Sequence, residues 1–255
     1  MRTVLYNSDY KTVHSPEDAE KIRALAEKLG NEPIEVEQDQ WIALIAQFCV
    51  MGRAAAWEKL TNNPNQFEDF KKAVSLKKLK EQDDAYNYLR DVFELYRPTR
   101  FYNKRAKDIA EIINLPEVAN GNELVLFRDL PPKSDYNEIR NMVIKRTKGK
   151  LKMKSVSDLM ISLGLSKDVI ALDTRVVKFL KKHLDYRLEG LEKVKTSRIQ
   201  TNKKLYLSIE NDLREICDHC RIELGTLDRV IFRYSSTNVI DYLLNQKAVR
   251  SKNKT

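Results

Sequence analysis

Residues 145–180, KRTKGKLKMKSVSDLMISLGLSKDVIALDTRVVKFL, read as a basic turn, a helix with Lys154 near its start, a loop, and a second helix opened by Asp173. Val156, Leu159, Met160 and Leu163 follow the i, i+3, i+4, i+7 spacing of a one-sided helix, and Gly164 is placed to end it. At about 100° per residue, Lys154 lies roughly half a turn from the centre of that stripe, so it is expected to point away from the core. Asp173 precedes the apolar run Val176, Val177, Phe179 and Leu180, the place for an N-cap carboxylate that accepts an orphan backbone N–H. Lysine and aspartate stand 19 positions apart, room for one short helix and a return loop, and are expected to share a cleft.

Working outward, the first of the paired helices is predicted over residues 135–146, so the helical hairpin spans about 135–164. Lys145, Arg146, Lys148, Lys150, Lys152 and Lys154 fall within ten residues. Such a turn offers ammonium groups and backbone N–H groups to phosphate, contacts that position a nucleic acid without reading its sequence.

The rest of the chain is helical by pattern. Ser15, Pro16, Glu17 and Asp18 predict a helix start, with the helix running to Leu29 and stopping at Gly30. Residues 40–60 carry Trp41, Leu44, Ile45, Phe48 and Met51 at helical spacing and predict one core helix. Gln47 sits beside that apolar set. A glutamine in a core must have its amide hydrogen-bonded, so a buried Gln47 is a candidate ligand-binding residue; the alternative places it at the stripe's margin, facing water. Residues 62–66 predict a loop, 67–79 and 83–96 two helices with Pro98 ending the second, and 103–114 another. Residues 115–134, with Pro116, Gly121, Pro131 and Pro132, predict a short irregular helix and turns. A charged connection follows Leu184. It leads to a long helix over 202–222, another over 227–234 opening near Gly225, a last over 237–246, and a fraying polar tail at 248–255. Strand signals are scarce, and the expected fold class is all-α.

A chain of 255 residues suits one large domain or two closely packed ones. The net charge of +9 and pI near 9.3 favour a polyanionic partner, without separating DNA from RNA. No run approaches the ~18–20 apolar residues of a membrane span, and MRTVLYNSDYK lacks the apolar segment of a secretory signal, so no membrane partner and an intracellular location are expected. Cys49, Cys217 and Cys220 are too few and odd in number for a disulfide framework. Cys217-Asp218-His219-Cys220 has no second ligand pair and lies in a helical pattern, so it is read as packing thiols, with neither metal nor cofactor expected.

The central stretch resembles the helix-hairpin-helix DNA glycosylases, and within them the type 2, largely prokaryotic 8-oxoguanine DNA glycosylases. Arg100–Ala106, RFYNKRA, is similar to that family's helix start before the hairpin. Gly149 with Lys154-Ser155-Val156-Ser157 resembles its glycine turn and K-x-A-S. Leu172-Asp173-Thr174-Arg175 is similar to its L-D-x-H, and Leu224-Gly225-Thr226-Leu227-Asp228 through Tyr234 to its C-terminal L-G-x-x-L-D followed by an aromatic. The matches run in order over about 39–234.

The resemblance implies a helix-hairpin-helix glycosylase fold of two closely packed helical subdomains with a cleft between them, the whole chain forming one such unit. It implies a base-excision enzyme with glycosylase and AP lyase activities on damaged double-stranded DNA, 8-oxoguanine the leading lesion. The enzyme is expected to act as a monomer, in the cytoplasm or at the nucleoid if prokaryotic. Lys154 would displace the damaged base, form a Schiff base with the opened sugar and allow β-elimination of the 3′ phosphate. Asp173 would stabilise the cationic sugar, orient the lysine and relay protons. Gln47 becomes a candidate for reading a base edge in the pocket. Phe232, where the family tends to have tryptophan, becomes one for stacking on the flipped base, against a plain core phenylalanine. Lys148, Gly149, Lys150, Lys152 and Arg175 would hold phosphate.

An attacking amine must be neutral, and the cations Lys148, Lys150 and Lys152 around Lys154 disfavour one more positive charge. Three departures from the pattern matter. The family's glycine-x-glycine is reduced to Gly149, with Leu151 near the second glycine's place and one extra residue before the lysine, which makes Lys152 a rival nucleophile. Arg175 replaces a histidine. The chain also continues past Tyr234 through SSTNVIDYLLNQKAVRSKNKT, where the family ends soon. The alternatives are a glycosylase for another lesion, a non-catalytic helix-hairpin-helix DNA-binding protein, and a helical protein whose basic face meets an acidic partner.

Overall fold

The structure is a computed structural model, and it describes residues 16–30, 36–51, 54–184, 194–235 and 237–244. The chain divides into two compact units, Val36–Leu163 and a second made of Met1–Glu35 with Gly164–Thr255.

The unit Val36–Leu163 is built on α2 (Gln40–Val50), which packs against α3 (Ala55–Thr61), α7 (Tyr102–Ile112) and α9 (Met153–Ser162). Asp39 caps α2, its carboxylate accepting from Trp41 N (2.9 Å) and Ile42 N (3.0 Å). The helix is buried on nearly every side, because Trp41, Ile42, Leu44, Ile45 and Phe48 point in several directions at once. The single core helix expected over 40–60 is instead two: Met51 takes an extended conformation (ψ 109°) and stops α2, and α3 begins afresh at Ala55.

The expected helix over 67–79 is likewise corrected. It begins earlier, as α4 (Pro64–Ala73), because Asn63 caps it and Pro64 tolerates the first turn. It breaks at Val74, whose carbonyl accepts from the Trp41 indole (2.6 Å), before α5 (Leu76–Lys80). Trp57, Phe67, Phe70, Phe93 and Tyr96 form an aromatic cluster joining α3, α4 and α6 (Ala85–Tyr96). Residues 115–134 contain turns, as expected, but in place of a short irregular helix they form a tight hairpin, β1 (Ala119–Asn120) paired antiparallel with β2 (Glu123–Leu124). Gly121, at φ +55°, turns the chain between them. Then α8 (Tyr136–Arg146), capped by Asp135, leads into the hairpin turn and α9.

In the other unit, α1 (Pro16–Leu29) and α13 (Leu224–Tyr234) pack on α12 (Lys203–Cys220), and α10 (Thr174–His183) packs on α13. The cap expected at Ser15 lies outside the described residues. The charged connection contains a short helix, α11 (Thr196–Thr201), and Asn202 caps α12 through Leu205 N (3.0 Å). Residues 239–244 are helical, while 245–255, with the expected tail, lie outside the described residues. Helices throughout, with one hairpin of two-residue strands among the described residues, make the fold all-α, as expected.

Candidate active site

The turn between α8 and α9 closes on itself. Lys148 N donates to Lys145 O (2.9 Å) and Gly149 N to Ile144 O (2.8 Å), the paired bonds of a Schellman motif, and Lys150 N donates to Thr147 O (2.9 Å). Three turn N–H groups are thus committed within the protein. Lys148 (φ +46°) and Gly149 (φ +69°) both adopt the left-handed conformation, which costs a lysine and suits a glycine. Leu151, in the second glycine's place, is fully buried and anchors the turn from inside. Lys152 is the N-cap residue of α9 and is exposed, with no side-chain cap bond. The first N–H groups of α9 therefore remain the donors a phosphate could meet.

The cations of this turn divide by partner. Lys150 Nζ is ion-paired with Asp108 (3.0 Å) and with Glu111, and the Glu111 hydrogen bond, then that of Asp108, holds its ammonium form above the usual lysine range. Asp108 also meets Arg105 (3.2 Å), whose guanidinium reaches Met51 O (3.3 Å). Lys150 therefore ties the turn to α7.

The one-sided reading of α9 needs correction: Ser155, Val156, Ser157, Leu159, Met160 and Ile161 are all buried, and Leu163 is only half-buried. Lys154 lies on the remaining strip, its side chain 22% exposed. Its Nζ donates to Asp158 Oδ2 (3.3 Å), one turn further along α9. Gln47 Nε2, from α2, donates to the same oxygen (3.2 Å). A carboxylate only accepts, which fixes the orientation of the Gln47 amide: its NH2 faces Asp158. Gln47 Oε1 is left buried, with no hydrogen-bond partner among the described residues. Gln47 is thus inside, 4% exposed, rather than at a wet margin. Nothing in the sequence singles out Asp158 except its place four residues after Lys154.

Asp173 stands in the other unit as the N-cap of α10. Its Oδ1 accepts from Arg175 N (2.8 Å) and Val176 N (2.9 Å). Buried polar side chains lock the loop before it. Ile170 N donates to Glu210 Oε1 (3.2 Å), Ala171 N to Asp228 Oδ1 (2.8 Å) and Leu172 N to Tyr206 Oη (3.2 Å), while Gln200 Nε2 donates to Leu172 O (3.0 Å). Gly225 N donates to Lys167 O (2.7 Å). The Leu224–Asp228 segment therefore fixes the backbone that presents Asp173. Sequence reasoning missed Tyr206 and Glu210. Their signal was a tyrosine and a glutamate on the apolar stripe of α12, where only internal hydrogen bonds make burial tolerable.

In the same unit the Arg175 guanidinium lies 4.1 Å from the centre of the Phe232 ring, and Phe232 is 39% exposed, not a core residue. Arg175, Lys178, Lys182 and His183 line a hollow closed by Ser235, Thr237, Ile240 and Asp241. The chain beyond Tyr234 therefore seats against α10.

The thiols of Cys49 and Cys217 are buried. Desolvation pushes Cys217 up to about 12 and Cys49 further. Cys220 Sγ lies 3.0 Å from Ala19 O. Among the described residues, no group of three His, Cys, Asp or Glu could hold a metal ion, and no helix is long and apolar enough to cross a membrane.

Together, α8, the left-handed turn and α9 with its lysine define a helix-hairpin-helix unit of the kind that meets a phosphate backbone. The family model described as 8-oxoguanine DNA glycosylase matches residues 48–222. This chain belongs to the 8-oxoguanine DNA glycosylase family, and its substrate class is DNA. The 8-oxoguanine DNA glycosylase/AP lyase of Fusobacterium nucleatum subsp. nucleatum is 24% identical over 199 residues, covering 72% of this chain and 85% of that protein. No solved structure matches the chain.

Proposed function

We propose that this protein excises 8-oxoguanine from duplex DNA and then cleaves the strand as an AP lyase, acting as a monomer in whichever compartment holds the cell's DNA. One observation carries the assignment of the nucleophile. Lys154 is the lysine whose side chain is only 22% exposed and whose amine donates to one carboxylate, Asp158, itself held by Gln47 from α2, whereas Lys152 is exposed at the N-cap and Lys150 is bound between two carboxylates of α7. A positioned amine is what nucleophilic catalysis at a single carbon requires.

In this reading Lys154 Nζ attacks C1′ of the flipped nucleotide, and the base leaves with the electrons of the glycosidic bond. The resulting Schiff base makes the C2′ proton acidic, and its loss expels the 3′ phosphate. Asp173 spends Oδ1 on the α10 cap, and Oδ2 supplies the negative charge opposite the developing cationic sugar. Gln47 Oε1 is an acceptor awaiting an N–H. Guanine presents a bare acceptor at N7, whereas 8-oxoguanine carries a hydrogen there, so an acceptor favours the lesion. Phe232 stacks on the base, and Arg175, Lys148, Lys152 and the N–H groups at the start of α9 take phosphates. Lys150 and Gly149 shape the turn.

The test is single-turnover incubation with duplexes carrying one 8-oxoguanine, one guanine or one abasic site. Free 8-oxoguanine plus strand cleavage at the lesion and at the abasic site, with guanine untouched, supports the proposal. Salt-sensitive binding without base release or cleavage overturns it in favour of a binding protein.

A further inference from the structure

The Gln47, Asp158 and Lys154 cluster says how the amine is freed to react, an inference that rests on reading Lys154 as the nucleophile. Glutamate or aspartate four residues from lysine is an ordinary solvated pair on most helices. This pair differs in two respects. Its side chains are only 22% and 14% exposed, and a second helix reaches in through Gln47 to hold the shared oxygen.

A lysine near pH 7 carries a proton in place of the lone pair that attack requires. We infer that Asp158 is the immediate proton acceptor of Lys154 and that Gln47 fixes the carboxylate for that role. One proton moves along the 3.3 Å hydrogen bond from Nζ to Asp158 Oδ2, giving a neutral amine beside a neutral carboxylic acid. Gln47 keeps its own hydrogen bond to the second lone pair of that oxygen. Two opposite charges vanish in the step, a change that becomes more favourable as a nucleotide displaces water from the pair. The Nζ lone pair then forms the bond to C1′ while the glycosidic bond breaks. The base leaves with that electron pair and is neutralised by one proton, matching the one Asp158 took. The secondary ammonium loses its remaining charge as a proton to water before the sugar ring opens.

The neutral pair is a tautomer of the ion pair, so its population does not change with pH between the two titrations. An amine that must be deprotonated by solvent behaves differently: its reactive fraction grows about tenfold per pH unit below the lysine pKa near 10.4. The experiment is single-turnover base release from an 8-oxoguanine duplex at pH 6 to 9 by wild type, Asp158→Asn, Asp158→Glu and Lys154→Gln. Thermal melts of each variant accompany the rates.

Expected is a loss of about 10²-fold or more for Asp158→Asn at pH 7, shrinking about tenfold with each pH unit, with Asp158→Glu recovering a pH-insensitive rate. A wild-type to Asp158→Asn ratio that stays constant with pH overturns the inference while leaving Lys154 as nucleophile, and so does an unchanged rate. If Asp158→Asn fails to fold, an Asp158→Glu rate that climbs with pH as steeply as solvent deprotonation requires overturns it equally. Wild-type release that survives Lys154→Gln overturns both this inference and the reading beneath it.

Discussion

The Arg175 guanidinium stacks on the Phe232 ring, 4.1 Å from its centre, so two residues read separately from sequence act as one surface. The cation covers one face of the ring, and the proposed function assigns base stacking to this half-exposed aromatic. Phe232→Ala is predicted to lose the stacking contribution, about 1–3 kcal/mol, in single-turnover base release, and Phe232→Trp to retain it. Arg175→Ala should lower DNA affinity and reduce the slope of log K against log salt by about 1, measured by fluorescence anisotropy titration. Arg175→Lys should restore the salt slope but not the packing, since an ammonium cannot stack as a plane.

The Lys150 ammonium is already neutralised by Asp108 and Glu111, which separates it from its neighbours in the turn. Lys150→Ala is predicted to leave the salt slope of DNA binding nearly unchanged and to lower stability by about 1 kcal/mol in urea melts. Because its partners raise the Lys150 pKa, its stabilisation is fully present below the unfolded value of 10.5 and is lost as pH rises through the higher folded value. Lys148→Ala and Lys152→Ala should each flatten the salt slope by about 0.9, with little effect on stability.

Lys148 holds a left-handed conformation that glycine adopts without cost, at the position of the Schellman turn where glycine is the common choice. Lys148→Gly is predicted to stabilise the fold by up to about 1 kcal/mol while weakening DNA binding. Opposite signs in a urea melt and a binding titration would mark a residue kept for its charge at the expense of backbone comfort. Loss of both stability and affinity would contradict that.

The segment after Tyr234 is tied to α10 by charges. Lys182 Nζ meets both Asp241 oxygens at 2.7 Å, and His183 Nε2 lies 3.1 Å from Oδ1. Burial holds His183 below its usual value of 6.5 despite Asp241, and the Lys182 hydrogen bond holds Asp241 below 3.8. Both groups are depressed, so both contributions are complete above the unfolded pKa and lost as pH falls. Thermal melts from pH 8 to 5 should show a decline in wild type beginning near pH 6.5 that is reduced in His183→Gln. Equal declines in the two proteins would exclude His183 as its source.

How much of this was legible in the sequence depends on the range of the interaction concerned. Caps at Asp173, Asp135 and Asn202, and the stop at Gly164, are local signals, and the helices they bound stand where the pattern puts them. The breaks at Met51 and Val74 were invisible because apolar spacing continues across them. At Val74 the break coincides with a hydrogen bond from Trp41, 33 residues away. The role of Asp158 needed Gln47 brought in from 111 positions away, and the link from Asp228 to Ala171 spans 57. A motif can mark such residues, but only the fold says what they hold. Lys150 shows the converse: a charge run reads as uniform until Asp108 and Glu111 claim one member.

The most direct test of the central claim is borohydride trapping on a duplex with a single 8-oxoguanine, with wild type beside Lys154→Gln and Lys152→Gln. The prediction is a covalent protein–DNA adduct formed by wild type and, at concentrations that saturate its weaker duplex binding, by Lys152→Gln, and absent from Lys154→Gln, which binds the duplex as wild type does. An adduct that persists in Lys154→Gln, or that disappears only in Lys152→Gln, would contradict it.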